Sequence, residues 1–328
     1  MLLAREPDAA ERFAAAYPDN VVPDLAAWMR GGQRCALVTL VGVDGSAPRA
    51  KGAQMAVSES GTWAGYISGG CLEQAIALEA VAAIKARKPR LLRYGKGSPY
   101  VDIRLPCGSG LDVFVQPVFE AGPIYAISRE LQRRRPTALR IDLATGDARL
   151  EAAPREAAHM QSHREGQTFL RAYAPALRCL IAGPSPIAAA LADLAVCAGF
   201  EVELHAPDLE ALPRLPRAVK LRELAPRLPT FQPDPWTAAI LAFHDHDQEL
   251  PAFSALLRSP CFYIGAIGSR NAHAVRKLAL IEAGFGQAEV ARIVSPAGLL
   301  AGLKTAPFAA LSILAQIVAA AREQRIVS

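Results

Sequence analysis

Leu177-Arg178-Cys179-Leu180-Ile181-Ala182-Gly183-Pro184-Ser185-Pro186 decides the fold of the second half of this chain. An apolar run ends in a glycine, and over residues 186–198 the apolar positions recur at helical spacing. A short buried strand leading straight into a helix opens a βαβ unit. The alternation continues downstream, with strands predicted at residues 201–205, 238–243 and 262–264 and a long helix closing the chain. Such alternation builds a parallel sheet covered by helices, so residues 176–328 are expected to form a Rossmann-like, doubly wound domain. A dinucleotide site there needs glycine at three places of the first turn. Gly183 holds the first, but Ser185 and Ala188 stand at the second and third, and Pro186 has no N–H for a phosphate. No acid sits at the tip of the second strand, and Asp208 lies slightly late. NAD(P) is therefore doubtful, and an NAD(P)-dependent oxidoreductase is the alternative reading.

The first half is organised around Ile67-Ser68-Gly69-Gly70-Cys71-Leu72-Glu73, where a hairpin strand gives way to a helical pattern. Glycines at such a turn let an anion approach bare N–H groups at the positive end of a helix, and a thiol in that first turn is favoured as thiolate. Ser68, Gly69, Gly70 and Cys71 are accordingly candidate ligand-binding residues; a close-packed turn with a buried cysteine is the structural alternative. Upstream, residues 35–43 read as a buried strand, the turn-rich loop Asp44-Gly45-Ser46-Ala47-Pro48-Arg49 follows, and a hairpin is expected at 53–58 and 62–67. Downstream come a helix to Lys88, a strand at 90–94, the loop Pro106-Cys107-Gly108-Ser109-Gly110 and a strand to Pro117. A thiol held between proline and glycine suits a soft-metal ligand or a nucleophile, which marks Cys107 and Gly108. The expected architecture is α/β: a mixed α/β domain (1–121), a connecting subdomain (122–175) and the Rossmann-like domain (176–328).

Two further turns invite chemistry. Gly265-Ala266-Ile267-Gly268-Ser269-Arg270 repeats the strand–glycine–helix logic and marks Gly268, Ser269 and Arg270 as an anion site, with close strand–helix packing as the alternative. His244-Asp245-His246-Asp247 has metal-ligand types, as does the pair His159 and His163, but neither has a further ligand at a recognisable spacing. Surface residues and helix caps are the plainer readings.

Composition bounds the rest. The 328 residues are 52% hydrophobic and 20% charged, with a net charge of +5, too mild and dispersed to argue for nucleic acid. The six cysteines lie far apart, which fits reduced thiols better than a disulfide framework. The N-terminus lacks the features of a signal peptide, and the longest apolar run, 309–321, is too short for a membrane span. A cytoplasmic location is expected.

Taken in order, several blocks resemble the XdhC/CoxI family, accessory proteins for xanthine dehydrogenase and related molybdenum hydroxylases. They are Asp44–Arg49, Gly65–Glu73, Tyr94-Gly95 with Ser98-Pro99, Leu105–Asp112, His244-Asp245, Tyr263–Arg270 and Pro296-Ala297-Gly298-Leu299. The resemblance implies an accessory protein rather than an enzyme. It binds the molybdenum cofactor (molybdopterin, a pterin dithiolene with a terminal phosphate), aids its sulfuration with a cysteine desulfurase, and delivers it to an apo hydroxylase. It also implies Cys107 as the thiol holding molybdenum, with Cys71 second. Departures lie mostly in the second domain: Gly183-Pro184-Ser185-Pro186 for a Gly-Ala-Gly-His turn, Ala206 for an acid, and Ala306-Pro307-Phe308 for Pro-Glu-Glu. Ser109 replaces the second glycine of Pro-Cys-Gly-Gly. Whether the chain forms a homodimer is left open by the sequence.

Overall fold

The computed structural model describes residues 19–98, 108–153, 160–210, 212–224, 231–243 and 246–327. They fall into two compact units, divided after Pro175. In the first, β1 (Cys35–Asp44) is a Val- and Leu-rich strand buried on both faces, and it forms the centre of a five-stranded sheet. Antiparallel neighbours are β2 (Gln54–Ser58) on one side and β5 (Gly110–Val118) on the other, with β3 (Trp63–Gly65) and β4 (Arg90–Gly95) at the edges.

Period-2 alternation sorts the side chains of β1 between two cores. Ala36, Val38 and Leu40 join Ile76, Ala80, Ala83 and Ile84 of α2 (Glu73–Ala86). On the other face Cys35, Leu37 and Val41 pack with α1 (Val22–Arg30), α3 (Gly122–Gln132) and a second antiparallel sheet. That sheet has the order β7 (Ala148–Ala152), β6 (Thr137–Asp142), β9 (Thr168–Tyr173) and β8 (His163–Glu165). Leu139, Ile141, Phe169 and Tyr173 share their core with Leu37 and Phe114, so this stretch packs directly on the first sheet.

In the second unit six parallel strands are ordered β12 (Lys220–Glu223), β11 (Glu201–Ala206), β10 (Arg178–Ala182), β13 (Thr237–Leu241), β14 (Tyr263–Ala266) and β15 (Ile293–Val294). Counted from β10 the order is 3-2-1-4-5-6, the doubly wound Rossmann arrangement. Cys179 and Ile181 face α4 (Pro186–Cys197) and α8 (Ala306–Glu323), while Leu180 and Ala182 face α5 (His246–Leu257) and α6 (Arg270–Glu282). A short α7 (Gln287–Val290) leads into β15. By length and composition α8 passes for a membrane span. Its stripe of Ala310, Ile313, Leu314 and Ile317, however, is packed in the core against the parallel sheet.

Candidate functional site

β1, β3 and β4 all run toward the end of the first sheet from which β5 returns, where Asp44 and Gly95 flank Gly110. The loops leaving that end are the ones bearing the sequence motifs. Arg93 of β4 ties β1, β5 and the β4–β5 loop together: it pairs with Asp44, lies 3.0 Å from Asp112 Oδ1, and donates from Nε to the Lys96 carbonyl at 2.9 Å. Lys96 N in turn donates to the Ser109 carbonyl, 2.9 Å away. The loop after β1 touches both thiol-bearing turns. A methyl group placed on Gly45 would meet Ser109 Cα at 3.7 Å, and one on Gly69 would meet Pro48 Cβ at 4.0 Å. Only Ser46 and Ala47 lie between Gly45 and Pro48, so Ser109 and Gly69 lie within about 20 Å of each other.

The Ser68-Gly69-Gly70 turn differs from its sequence-based expectation in one respect. Its N–H groups do not stand bare. The carboxylate of Glu73, buried, folds back and accepts from Ile67 N (2.9 Å), Ser68 N (2.7 Å), Ser68 Oγ (2.8 Å), Gly70 N (2.8 Å) and Leu72 N (3.1 Å). Ser68 Oγ accepts from Cys71 N and Leu72 N at 3.1 and 2.9 Å. Burial pushes the Glu73 carboxyl up, but the hydrogen bonds from Ser68 and Ile67 outweigh it and hold the group below the usual carboxylate range. The anion cradle is thus filled by the chain's own carboxylate. The helix starts at Glu73 with Leu72 as N-cap, so Cys71 precedes the first turn. What the turn offers a ligand is the exposed thiol of Cys71 and the exposed surfaces of Gly69 and Gly70. Cys107 lies outside the described residues; Gly108, which follows it, is exposed, and Ser109 is buried.

Beside this turn, the Arg49 guanidinium stacks on the Tyr66 ring at 4.1 Å, donates to Tyr66 Oη at 2.8 Å and pairs with Asp19 at 2.6 Å. Neither Arg49 nor Glu73 stands out in the sequence as a ligand-contacting residue. Glu73 five residues after Ser68 has the spacing of a reversed cap, which is a legible signal; the Arg49–Tyr66 contact, spanning two loops, has none.

In the second unit Gly183 is held at φ +120°, and a methyl group there would meet Ala242 C and O at 2.6 Å and Phe243 N at 2.8 Å. Its glycine makes room for a neighbouring strand. Gly183 N donates to the His205 carbonyl, and Ser185 is the N-cap of α4, its Oγ accepting from Ala188 N at 3.1 Å. With Pro184 and Pro186 lacking N–H groups, most donors that hold a pyrophosphate at such a turn are missing or engaged. At the later turn Gly268 is exposed, Ser269 caps α6 by accepting from Ala272 N at 3.1 Å, and Arg270 is exposed. Beneath it Arg276 forms a buried fork with Glu249 at 2.9–3.0 Å, a long-range pair with no counterpart in the sequence pattern.

His244, Asp245 and His159 lie outside the described residues, as do the side chains of His246 and Asp247. His163 opens strand β8 rather than sitting on a helix, and its Nε2 is 3.3 Å from Glu165 Oε1. Among the described residues no three His, Cys, Asp or Glu side chains gather to hold a metal ion.

Residues 28–95 match the model of the XdhC and CoxI family, and residues 179–317 match that of the XdhC Rossmann domain. The chain is 34% identical over 290 residues to the molybdenum cofactor insertion chaperone PaoD of Escherichia coli (strain K12), covering 88% of this chain and 84% of that protein. It is 26% identical over 328 residues to a probable xanthine dehydrogenase subunit from Bacillus subtilis (strain 168), covering 90% of this chain and 95% of that protein. The crystal structure of a xanthine dehydrogenase from Bacillus halodurans superposes with a TM-score of 0.73 at 20% identity, over 92% of this chain and 96% of that one, which shows a shared fold. With both half-matches in order and a relative of this similarity along most of its length, the chain belongs to the XdhC/CoxI family.

Proposed function

We propose that this protein is a molybdenum cofactor chaperone that binds the molybdopterin form and inserts it into an apo hydroxylase of the xanthine dehydrogenase type. The observation that carries the reading is the exposed Cys71 at the end of the sheet where the motif loops converge, with Gly108 at the same end. A soft thiolate suits molybdenum, and an open glycine surface admits a flat pterin. Cys107 is the favoured thiol and Cys71 the second; Ser68, Gly69, Gly70 and Gly108 shape the surface around them. The bound group supplies the redox centre for the recipient enzyme, and the chain's own residues hold and shield it. The chaperone works in the cytoplasm with a cysteine desulfurase that sulfurates the cofactor. Gly268, Ser269 and Arg270 form a secondary anion-facing turn of the Rossmann-like domain in this reading, Gly183 serves close packing rather than a ligand, and homodimerisation is an arrangement to be tested by light scattering.

The test is purification from a molybdopterin-producing host with assay of bound pterin and molybdenum. Near-stoichiometric pterin is expected, falling at least tenfold in a Cys71→Ala/Cys107→Ala double variant. Undiminished binding by that variant would falsify the thiol assignment. The PaoD likeness supports the reading, and the engaged turn at Gly183 speaks against the alternative of a dinucleotide-dependent oxidoreductase.

A further inference from the structure

Because Glu73 occupies the N–H groups of Ile67, Ser68, Gly70 and Leu72, a phosphate on a ligand at this surface needs another positive partner. Arg49 is the guanidinium beside the turn. Its neighbour Pro48 borders Gly69. Tyr66 fixes the group from its ring face and by a hydrogen bond, leaving the side chain 18% exposed. A second guanidinium stands close by: Arg171 of β9 packs its Cδ against Gly52, in the same loop as Arg49, and stacks on Tyr173 at 4.6 Å. Arg49 and Arg171 repel each other, and Asp19 attracts Arg171; burial, the largest influence, holds the Arg171 pKa down. Asp19 is also the carboxylate paired with Arg49, and its own side chain is 79% exposed. The Nε atoms of both arginines are buried without an acceptor. Arg49 is thus paired with a solvent-facing carboxylate, and Arg171, whose Nη1 donates to the Ala172 carbonyl and to Ser162 Oγ at 3.4 Å, adds positive charge behind it.

We propose that Arg49, backed by Arg171, binds the phosphate of a phosphomonoester ligand, the anion replacing the Asp19 carboxylate. Resting on the chaperone reading, this ligand is the pterin cofactor and the anion its terminal phosphate. Arginine suits the role because its planar fork meets two phosphate oxygens at once, and Tyr66 preorganises it.

The experiment compares binding of molybdopterin before and after phosphatase removal of its phosphate. Wild type is expected to lose about tenfold or more in affinity on dephosphorylation. Arg49→Gln should bind the phosphorylated form as weakly as wild type binds the dephosphorylated one, and should no longer distinguish the two; continued discrimination by Arg49→Gln overturns the proposal. A second arm needs no pterin: inorganic phosphate is titrated while arginine Nε–H resonances are followed by NMR. Asp19→Asn removes the competing carboxylate, so it should tighten phosphate binding about threefold or more, whereas a purely structural Asp19–Arg49 pair predicts weaker binding. No phosphate-dependent shift in wild type, or weaker binding by Asp19→Asn, overturns the assignment. If wild type binds phosphate but no pterin, the chaperone reading fails and the Arg49 assignment stands.

Discussion

Two strand-to-helix turns in this chain both combine glycine with serine and are built differently. At Ser68-Gly69-Gly70 the glycines sit at φ +84° and +114°, Gly70 in open space and Gly69 no nearer than ordinary contact with Pro48, and a carboxylate from the following helix organises the N–H groups. At Gly183-Pro184-Ser185 the glycine is pressed against the backbone of the neighbouring strand, and a serine hydroxyl caps the helix. In one turn glycine keeps a surface accessible; in the other it lets two strands of a core close together. Glycine at a strand-to-helix turn therefore does not imply a single role, and the environment of the absent Cβ separates the two cases.

Placing the same methyl group in both turns tests this most severely. Gly183→Ala should cost about 4 kcal/mol or more, or prevent folding, because both backbone strain and a clash with Ala242 oppose it. Gly70→Ala should cost only about 1–2 kcal/mol, the strain of a positive φ without a clash. Urea denaturation measures both; equal costs would dissolve the distinction.

Removing the organiser comes next. Glu73→Ala strands several buried donors and should destabilise by about 3 kcal/mol. Hydrogen bonds keep the folded Glu73 carboxyl below its ordinary unfolded value of 4.5, so unfolding takes up a proton in acid. Its contribution is complete above that value and disappears as the pH falls through the lower folded one. Glu73→Gln should flatten this acid limb in a series of urea curves from about pH 3 to 7. The hydroxyl cap of the other turn is weaker: Ser185→Ala should cost about 1 kcal/mol.

The smallest effects concern reagents rather than folding. Cys71, being exposed, should alkylate rapidly in the native protein, while burial lifts Cys179 to about 12 and Cys261 to about 11 and leaves both inert until unfolding, as mass spectrometry of labelled peptides would reveal. NAD(H) or NADP(H) at about 1 mM should leave the melting temperature unchanged; a site of about 10 μM affinity would instead add about 2.7 kcal/mol.

Much of the Rossmann-like half was legible because its strands are local apolar runs between turn residues. The strand predicted at 177–182 is observed as Arg178–Ala182, and the helix at 186–198 as Pro186–Cys197. β12 was not legible: Lys220–Glu223 is an exposed edge strand without alternation, inside a proline- and arginine-rich stretch. In the first half the sequence located the hairpin and the glycine turn but not what occupies the turn's N–H groups. Contacts such as Arg93 with Asp44 and Asp112, or Arg276 with Glu249, join residues distant in sequence and leave no periodic trace. Site chemistry is hidden for the same reason.

The pairing of β1 with β5 has a consequence for synthesis on the ribosome. β1 gains its second neighbour only when residues 110–118 have emerged, long after its hairpin partner β2 is available. Until then one edge of this apolar strand remains open, and the loops that carry Asp44, Arg93 and Ser109 have no common scaffold. In the second unit β10 likewise gains its second neighbour only when residues 237–241 have emerged. A nascent chain is therefore expected to acquire its thiol-bearing surface late, so that a half-made chain has no means of capturing a ligand there.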